Sequence, residues 1–200
     1  MSHSMHTIET FSGLAVDLIR PAVRSLNIKD IAWSLSRIAR FNGHTLGEHP
    51  YSVAQHCVWV ARAAQRYFHT DPLTTQQALL HDAHEAYTGD ICSPLKSMRQ
   101  LYPVSGIESM LQRKIYIALD IPEPTSLAES VIKACDQYAL ACEARHLMHS
   151  NGAGWKCMQD VSADIFENFW EPMPPSEAFH LFWCAWEMLR NGEPLEDLCD

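Results

Sequence analysis

Residues 78–96, ALLHDAHEAYTGDICSPLK, constrain this chain more than any other stretch, because they set His81, Asp82, Glu85 and Asp90 among apolar neighbours. An imidazole and three carboxyls so close together are costly to bury as charges unless something compensates them. A divalent cation does this readily, since imidazole and carboxylate are both ligands for transition metals. Read as one helix, adjacent His81 and Asp82 point about 100° apart, and a metal can sit over the edge between them. Glu85 then lies one turn beyond His81 on the same face, within reach of water on the metal rather than of the metal itself.

Two other apolar, helix-like runs carry polar interruptions of the same kind. YSVAQHCVWVARAA (51–64) contains His56, and VIKACDQYALACEARHLM (131–148) contains Asp136. One polar residue inside each of three apolar helices is the pattern of a site built between packed helices. Taken singly, each residue has an ordinary alternative. His56 could be a hydrogen-bonded core histidine, and Asp136 could pair with Lys133 or Arg145 along its own helix. Glu85 and Asp90 could be solvated acids at a helix end. The combination favours a shared site.

The order His56, His81–Asp82, Asp136 is the H…HD…D signature of the HD superfamily of metal-dependent phosphohydrolases, which this chain resembles over roughly residues 26–148. The fuller pattern HDAxEAYTGDIxxPLK is similar to that of small HD-domain 5′-deoxynucleotidases and of compact deoxynucleoside triphosphate hydrolases found in bacteriophages. The resemblance implies that His56, His81, Asp82 and Asp136 hold one divalent cation. It implies that Glu85 orients or deprotonates the attacking water, with Asp90 as a second acid–base or positioning group. It also implies that Arg40 and Lys96 contact phosphate, Lys96 following Pro94 as in the family. Phe41, fifteen residues before His56, would meet sugar or base. His44 would reach the pocket from the glycine-rich loop, though surface exposure fits it equally. The forked guanidinium of Arg40 suits phosphate, while a helix-terminal arginine is its bland alternative.

The activity so implied is removal of phosphate or polyphosphate from 2′-deoxynucleotides, from mono- to triphosphate, with dATP the best-fitting example. Two histidines with two carboxylates suit Co²⁺, Mn²⁺, Fe²⁺ or Zn²⁺ better than an all-oxygen Mg²⁺ site. A cyclic-nucleotide phosphodiesterase is one alternative, disfavoured because no extra His pair stands between His81–Asp82 and Asp136. A nucleotide-sensing module without catalysis is another, disfavoured because Glu85 and Asp90 are both present.

The rest of the chain is ordinary. Two hundred residues suit one domain with a sizeable core, and 47% hydrophobic with 20% charged residues fits a globular protein. A formal net charge of −9 argues against nonspecific nucleic-acid or membrane binding, so a polyanionic nucleotide needs a locally positive pocket. No apolar run is long enough to span a bilayer. Seven scattered cysteines without a CxxC spacing fit a reducing cytoplasm. Tryptophans in apolar helical settings (Trp33, Trp59, Trp183, Trp186) suit a core or a subunit interface, and a homo-oligomer is expected.

Periodicity predicts a helix of about four turns from Asn27 through Ala39, a loop over 40–50, and a helix capped by Ser52. A further helix follows Asp71–Pro72 and carries His81, ending at Gly89 and Pro94 so that Asp90 lies in the turn. Others are expected over about 106–119, from a capping box at Ser126 and Glu129 to about His149, and over 175–190. The N-terminal segment 5–25 reads as extended or looped. The expectation is an all-α, compact helical HD-domain bundle in one domain, with a C-terminal helical extension over about 155–200.

Overall fold

The computed structural model describes residues 5–159, 169–195 and 198. Among these residues it is an α-helical bundle with one small hairpin. The hairpin strands β1 (Thr7–Glu9) and β2 (Ala15–Asp17) pair antiparallel, Ile8 opposite Val16. The helices are α1 (Ile28–Leu35), α2 (Val53–Phe68), α3 (Pro72–Leu79), α4 (Glu85–Thr88), α5 (Ser93–Lys96), α6 (Tyr102–Ala118), α7 (Ser126–Leu147) and α8 (Pro175–Arg190). Helix α8 falls within the expected C-terminal extension, of which residues 160–168, 196–197 and 199–200 lie outside the described residues. No helix among the described residues is long and apolar enough to cross a membrane.

The central element is α2. Ser52 caps it as expected, its hydroxyl accepting from the Gln55 amide at 3.2 Å. Val53, Ala54, Cys57, Val58, Val60, Ala61 and Ala64 are fully buried, because α2 is covered by α3, α7 and α8. A helix buried around most of its circumference must hide any polar residue it carries, and this one hides Gln55 and His56. Small alanines let the neighbouring backbones approach closely enough for side chains from different helices to meet.

Several boundaries differ from the sequence reading for local reasons. Helix α1 ends at Leu35, not Ala39. Ala39 instead forms an isolated bridge to Ser52, and the amide of Arg40 donates to the carbonyl of Tyr51 at 2.9 Å. Helix α7 is capped by Thr125, whose hydroxyl accepts from the Ala128 amide, rather than by Ser126. Helix α6 begins at Tyr102, with Pro103 in its first turn, where a missing N–H is harmless.

The hairpin is tied to α1 through one carboxylate. Asp30, 3% exposed, accepts from the Thr10 hydroxyl (2.7 Å), the Ser12 amide (2.9 Å), the Ser12 hydroxyl (2.7 Å) and the Asn27 side-chain amide (2.7 Å). Burial works to raise its pKa, but these donors outweigh burial and leave it below the ordinary 3.8. Stability from Asp30 is therefore present above that ordinary value and is lost as pH falls through the lower folded-state value. Asp30→Ala is expected to cost at least about 2 kcal/mol, the scale of hydrogen bonds to a charged acceptor. It should also flatten the acid limb of a pH–stability curve. Unchanged urea midpoints at pH 7 would disprove this anchoring role.

Candidate metal and catalytic site

Helix α2 supplies His56, the segment after α3 supplies His81 and Asp82, and α7 supplies Asp136. His56 Nε2 lies 3.2 Å from His81 Nε2, 3.5 Å from Asp82 Oδ2 and 3.3 Å from Asp136 Oδ1. Asp82 Oδ2 is 3.2 Å from His81 Nε2. The fold thus gathers all four proposed ligands around one point.

The hydrogen bonds on the far side of each imidazole fix what those nitrogens can do. His56 Nδ1 is 2.7 Å from Glu143 Oε1, and His81 Nδ1 is 2.8 Å from the carbonyl of Ala78. Both partners are acceptors, so both Nδ1 atoms carry protons and donate. In the neutral rings the two Nε2 lone pairs then face each other across 3.2 Å, beside two carboxylates. That arrangement is repulsive without a positive charge between the atoms. Metal–nitrogen bonds of about 2.1 Å place neighbouring ligand atoms roughly 3.0–3.4 Å apart, which matches these separations. The donor set therefore fits a divalent cation.

Electrostatics point the same way. Burial and Arg40 both disfavour a charged His56, yet Glu143, Asp136 and Asp82 together hold its pKa well above the ordinary 6.5. Burial likewise opposes a charged His81, and Asp82 outweighs it. Burial pushes Asp82 up, but the two imidazoles hold it well below the ordinary carboxylate value. Without a metal, protons answer the field of these carboxylates. A cation can take their place.

His81 and Asp82 are not inside a helix, contrary to the sequence reading. Helix α3 ends at Leu79, and residues 80–84 form a turn in which the Ala83 amide donates three residues back to the Leu80 carbonyl at 3.0 Å. Helix α4 starts afresh at Glu85. Its carboxyl is 2% exposed and lies in one group with Asp82 and His84, their ligand atoms within 4.8 Å of one another. Glu85 Oε1 meets Lys96 Nζ at 3.4 Å, while Oε2 has no protein partner. Burial first, then Asp82 and Asp90, push the Glu85 pKa up to about 8, although Lys96 and Arg40 pull against them. Gly89, at φ +78°, then turns the chain so that Asp90 follows α4. Burial raises the Asp90 carboxyl above its ordinary value.

The expected substrate contacts are more dispersed. The Arg40 guanidinium donates from Nε (3.0 Å) and Nη2 (2.9 Å) to Glu143 Oε2, so part of its fork is committed inside the protein. Phe41 adopts left-handed backbone (φ 54°), as does Asn42 (φ 52°), and the Phe41 ring centroid is 6.0 Å from that of Trp155. Such conformations are uncommon outside glycine and asparagine. His44 is exposed, its amide closing the short turn onto Phe41. Pro94 is an exposed residue in the first turn of α5, which delivers Lys96 at its end. Lys96 Nζ lies between Glu85 Oε1 and Glu108 Oε1, at 3.4 and 3.3 Å. Beside the ligands, a groove of about 430 Å³ runs between α6 and α7, lined by His81, Asp136, Gln112, Tyr116, Ile132 and Lys133 among others.

The sequence reading missed three residues that structure this site. Glu143, fully buried, links His56 to Arg40; its signal was its place seven residues after Asp136, on the same face of α7. Glu108, nearly buried, holds Lys96 from α6. His84 borders the site, its Nδ1 donating to Gln112 Oε1 at 3.3 Å and its Nε2 3.9 Å from Glu108 Oε1.

A helical bundle that converges two histidines and two aspartates, with a buried glutamate alongside, is the architecture of an HD-type hydrolase. Residues 27–148 match the family described as 5′-deoxynucleotidase YfbR-like, and the chain belongs to that family. It is 34% identical over 178 residues to an uncharacterized protein, YfdR, of Escherichia coli (strain K12), covering 89% of this chain and 92% of that one. It is 32% identical over 142 residues to an uncharacterized protein of Rhodobacter capsulatus, covering 68% of this chain and 70% of the relative.

Proposed function

We propose that the protein hydrolyses 2′-deoxynucleotides at a single divalent-cation site, releasing phosphate or polyphosphate. The observation that carries this reading is the pair of Nε2 lone pairs flanked by Asp82 and Asp136, with the partnerless Glu85 oxygen alongside. His56, His81, Asp82 and Asp136 would hold the cation. When bound, such a cation supplies Lewis acidity at the phosphoryl group and acidifies water. Its borderline nitrogen–oxygen ligand set suits Co²⁺, Mn²⁺, Fe²⁺ or Zn²⁺.

The remaining chemistry belongs to the protein's own groups. Glu85, in its ionised form, takes a proton from the attacking water on the partnerless Oε2 while Lys96 holds Oε1 in place. Asp90 serves as a second acid–base or positioning group near Arg40 and Glu85. Arg40, anchored on Glu143, turns its uncommitted donors toward substrate phosphate, and Lys96 adds local positive charge against the net −9 of the chain. The groove along α6 and α7 offers space for the rest of a nucleotide. Family membership supports the deoxyribose preference, and deoxyadenine nucleotides, taken from the resemblance to the bacteriophage enzymes, are the first to test.

A panel of deoxy- and ribonucleotides, as mono- and triphosphates, with Mn²⁺, Co²⁺ or Mg²⁺ added separately, tests this reading. Turnover of deoxynucleotides with Mn²⁺ or Co²⁺ exceeding that of ribonucleotides is the expected result. Equal turnover of both sugars would refute the preference, and activity confined to cyclic nucleotides would refute the reaction.

A further inference from the structure

Gln112, on α6, contacts the turn that carries two of the four ligands and contacts it on both sides. Its side-chain Nε2 donates to the carbonyl of Leu80 at 2.7 Å, and its Oε1 accepts from the backbone amide of His84 at 3.1 Å. Leu80 and His84 bracket His81, Asp82 and Ala83. The amide cannot be reversed without setting Oε1 against a carbonyl and Nε2 against an N–H, so both bonds fix one orientation. The same Oε1 also receives the His84 ring proton at 3.3 Å, which ties that side chain to the end of the turn.

The turn needs such support because it lacks the full α-helical hydrogen-bond ladder. Within it the His81 amide reaches three residues back to Ala78 at 3.4 Å and the Ala83 amide to Leu80 at 3.0 Å, while the His84 amide turns to Gln112. Three-residue bonding has poorer geometry than the α-helical ladder and persists only in short pieces. A turn of this kind can shift by a few tenths of an ångström without unfolding anything. Ligand positions in a metal centre must be held more tightly than that.

We infer that Gln112 is a positioning residue for the His81–Asp82 pair, acting as a clamp across residues 80–84 that presets the geometry of the cation site. It touches neither the cation's ligands nor the substrate phosphate through these bonds; it acts through the backbone that bears them. Partners one layer outside a metal's ligands typically change its affinity 10–100-fold when removed. The inference rests on the proposed cation site but not on which nucleotide is cut.

Two variants separate the clamp from simple packing. Gln112→Met keeps the length of the side chain and removes both bonds, and Gln112→Glu keeps the acceptor and loses the donor. Leu111→Ala, on the same helix and fully buried, loosens α6 while leaving both Gln112 bonds in place. The dissociation constant for Mn²⁺, measured by calorimetric titration without substrate, should rise about 10–100-fold in Gln112→Met and less in Gln112→Glu. The visible spectrum of the Co²⁺-loaded protein should change in both Gln112 variants and stay native in Leu111→Ala. An Mn²⁺ constant within twofold of native in Gln112→Met would overturn the inference. So would a loss of affinity in Leu111→Ala as large as that in Gln112→Met. If Gln112→Met does not fold, the Gln112→Glu comparison decides by the same criteria. Because both readouts omit nucleotide, their outcome is independent of the substrate panel that tests the reaction.

Discussion

Replacing Glu85 with glutamine is expected to lower kcat by roughly 10²–10⁴, the scale of a lost general base, while making the metal-free protein more stable at neutral pH. The two effects have one cause. Burial, Asp82 and Asp90 raise the Glu85 pKa from 4.5 to about 8, so the fold resists its ionisation. For a carboxyl raised in this direction, stability is lost as pH climbs from the unfolded-state value through the folded-state one. Glutamine has the same shape and does not ionise, so it escapes that loss, offset in part by the contact with Lys96 at 3.4 Å. At this chain length each kcal/mol recovered raises Tm by about 2–4 °C. Thermal melts of metal-free native and Glu85→Gln protein at pH 5 and pH 9 check the sign. The gap between them should widen at the higher pH. Near-native turnover in the variant would remove Glu85 from the mechanism, and a lower Tm at pH 9 would refute the electrostatic account.

Glu143→Leu is expected to be the most damaging change outside the ligands. Glu143 receives the His56 Nδ1 proton at 2.7 Å and two Arg40 donors at 2.9 and 3.0 Å, while 1% of its side chain is exposed. Removing it leaves a guanidinium nearly buried and without its counter-charge, which costs about 3–5 kcal/mol in comparable pairs. It also frees the His56 ring to rotate or change tautomer, so cation affinity should fall roughly 10–100-fold. The stability loss and the affinity loss are separable. Adding Arg40→Met to Glu143→Leu should restore much of the denaturation midpoint, since an apolar pair can replace an ion pair. It should not restore Mn²⁺ binding, because His56 still lacks its orienting acceptor. Full recovery of both would show that Glu143 serves Arg40 alone.

The residues that converge at the candidate site were legible because of a conflict visible in the letters themselves. His56 and Asp136 interrupt apolar helical runs, and a polar group in such a position must find a partner. The termini of α2 and α8 were legible for similarly local reasons, a serine cap and a proline start. The break at Leu79 was not, because no glycine or proline marks it between Ala78 and Tyr87. Tertiary bonds from Gln112 hold that segment in a turn. The early end of α1 escaped for a similar reason: Ile38 and Ala39 keep helical spacing, yet the bridge to Ser52 draws the chain into extended form. Lys96 and Arg40 were read as phosphate contacts, and the carboxylates the fold pairs with them, Glu108 and Glu143, lie twelve and 103 residues away along the chain. No local pattern announces a pairing of that range.

Helix α7 carries Asp136 and Glu143 on one face, and that fact sets rules for how this sequence can change length. Two turns of helix advance about 10.5 Å and return nearly to the same azimuth, so the helix acts as a ruler between the cation site and the group that orients His56. Substitutions at the exposed positions between them, such as Gln137, leave the ruler intact. Inserting or deleting one residue there turns one carboxylate away from the other by about 100° and detaches Glu143 from His56 at a stroke. The exposed glycine-bearing loop before α2, tied to α7 by the Leu46 amide on the Leu147 carbonyl at 2.8 Å, carries no such helical register and tolerates changes in length better. Among descendants of this chain, variation in length should therefore gather before α2 and be missing between residues 136 and 143.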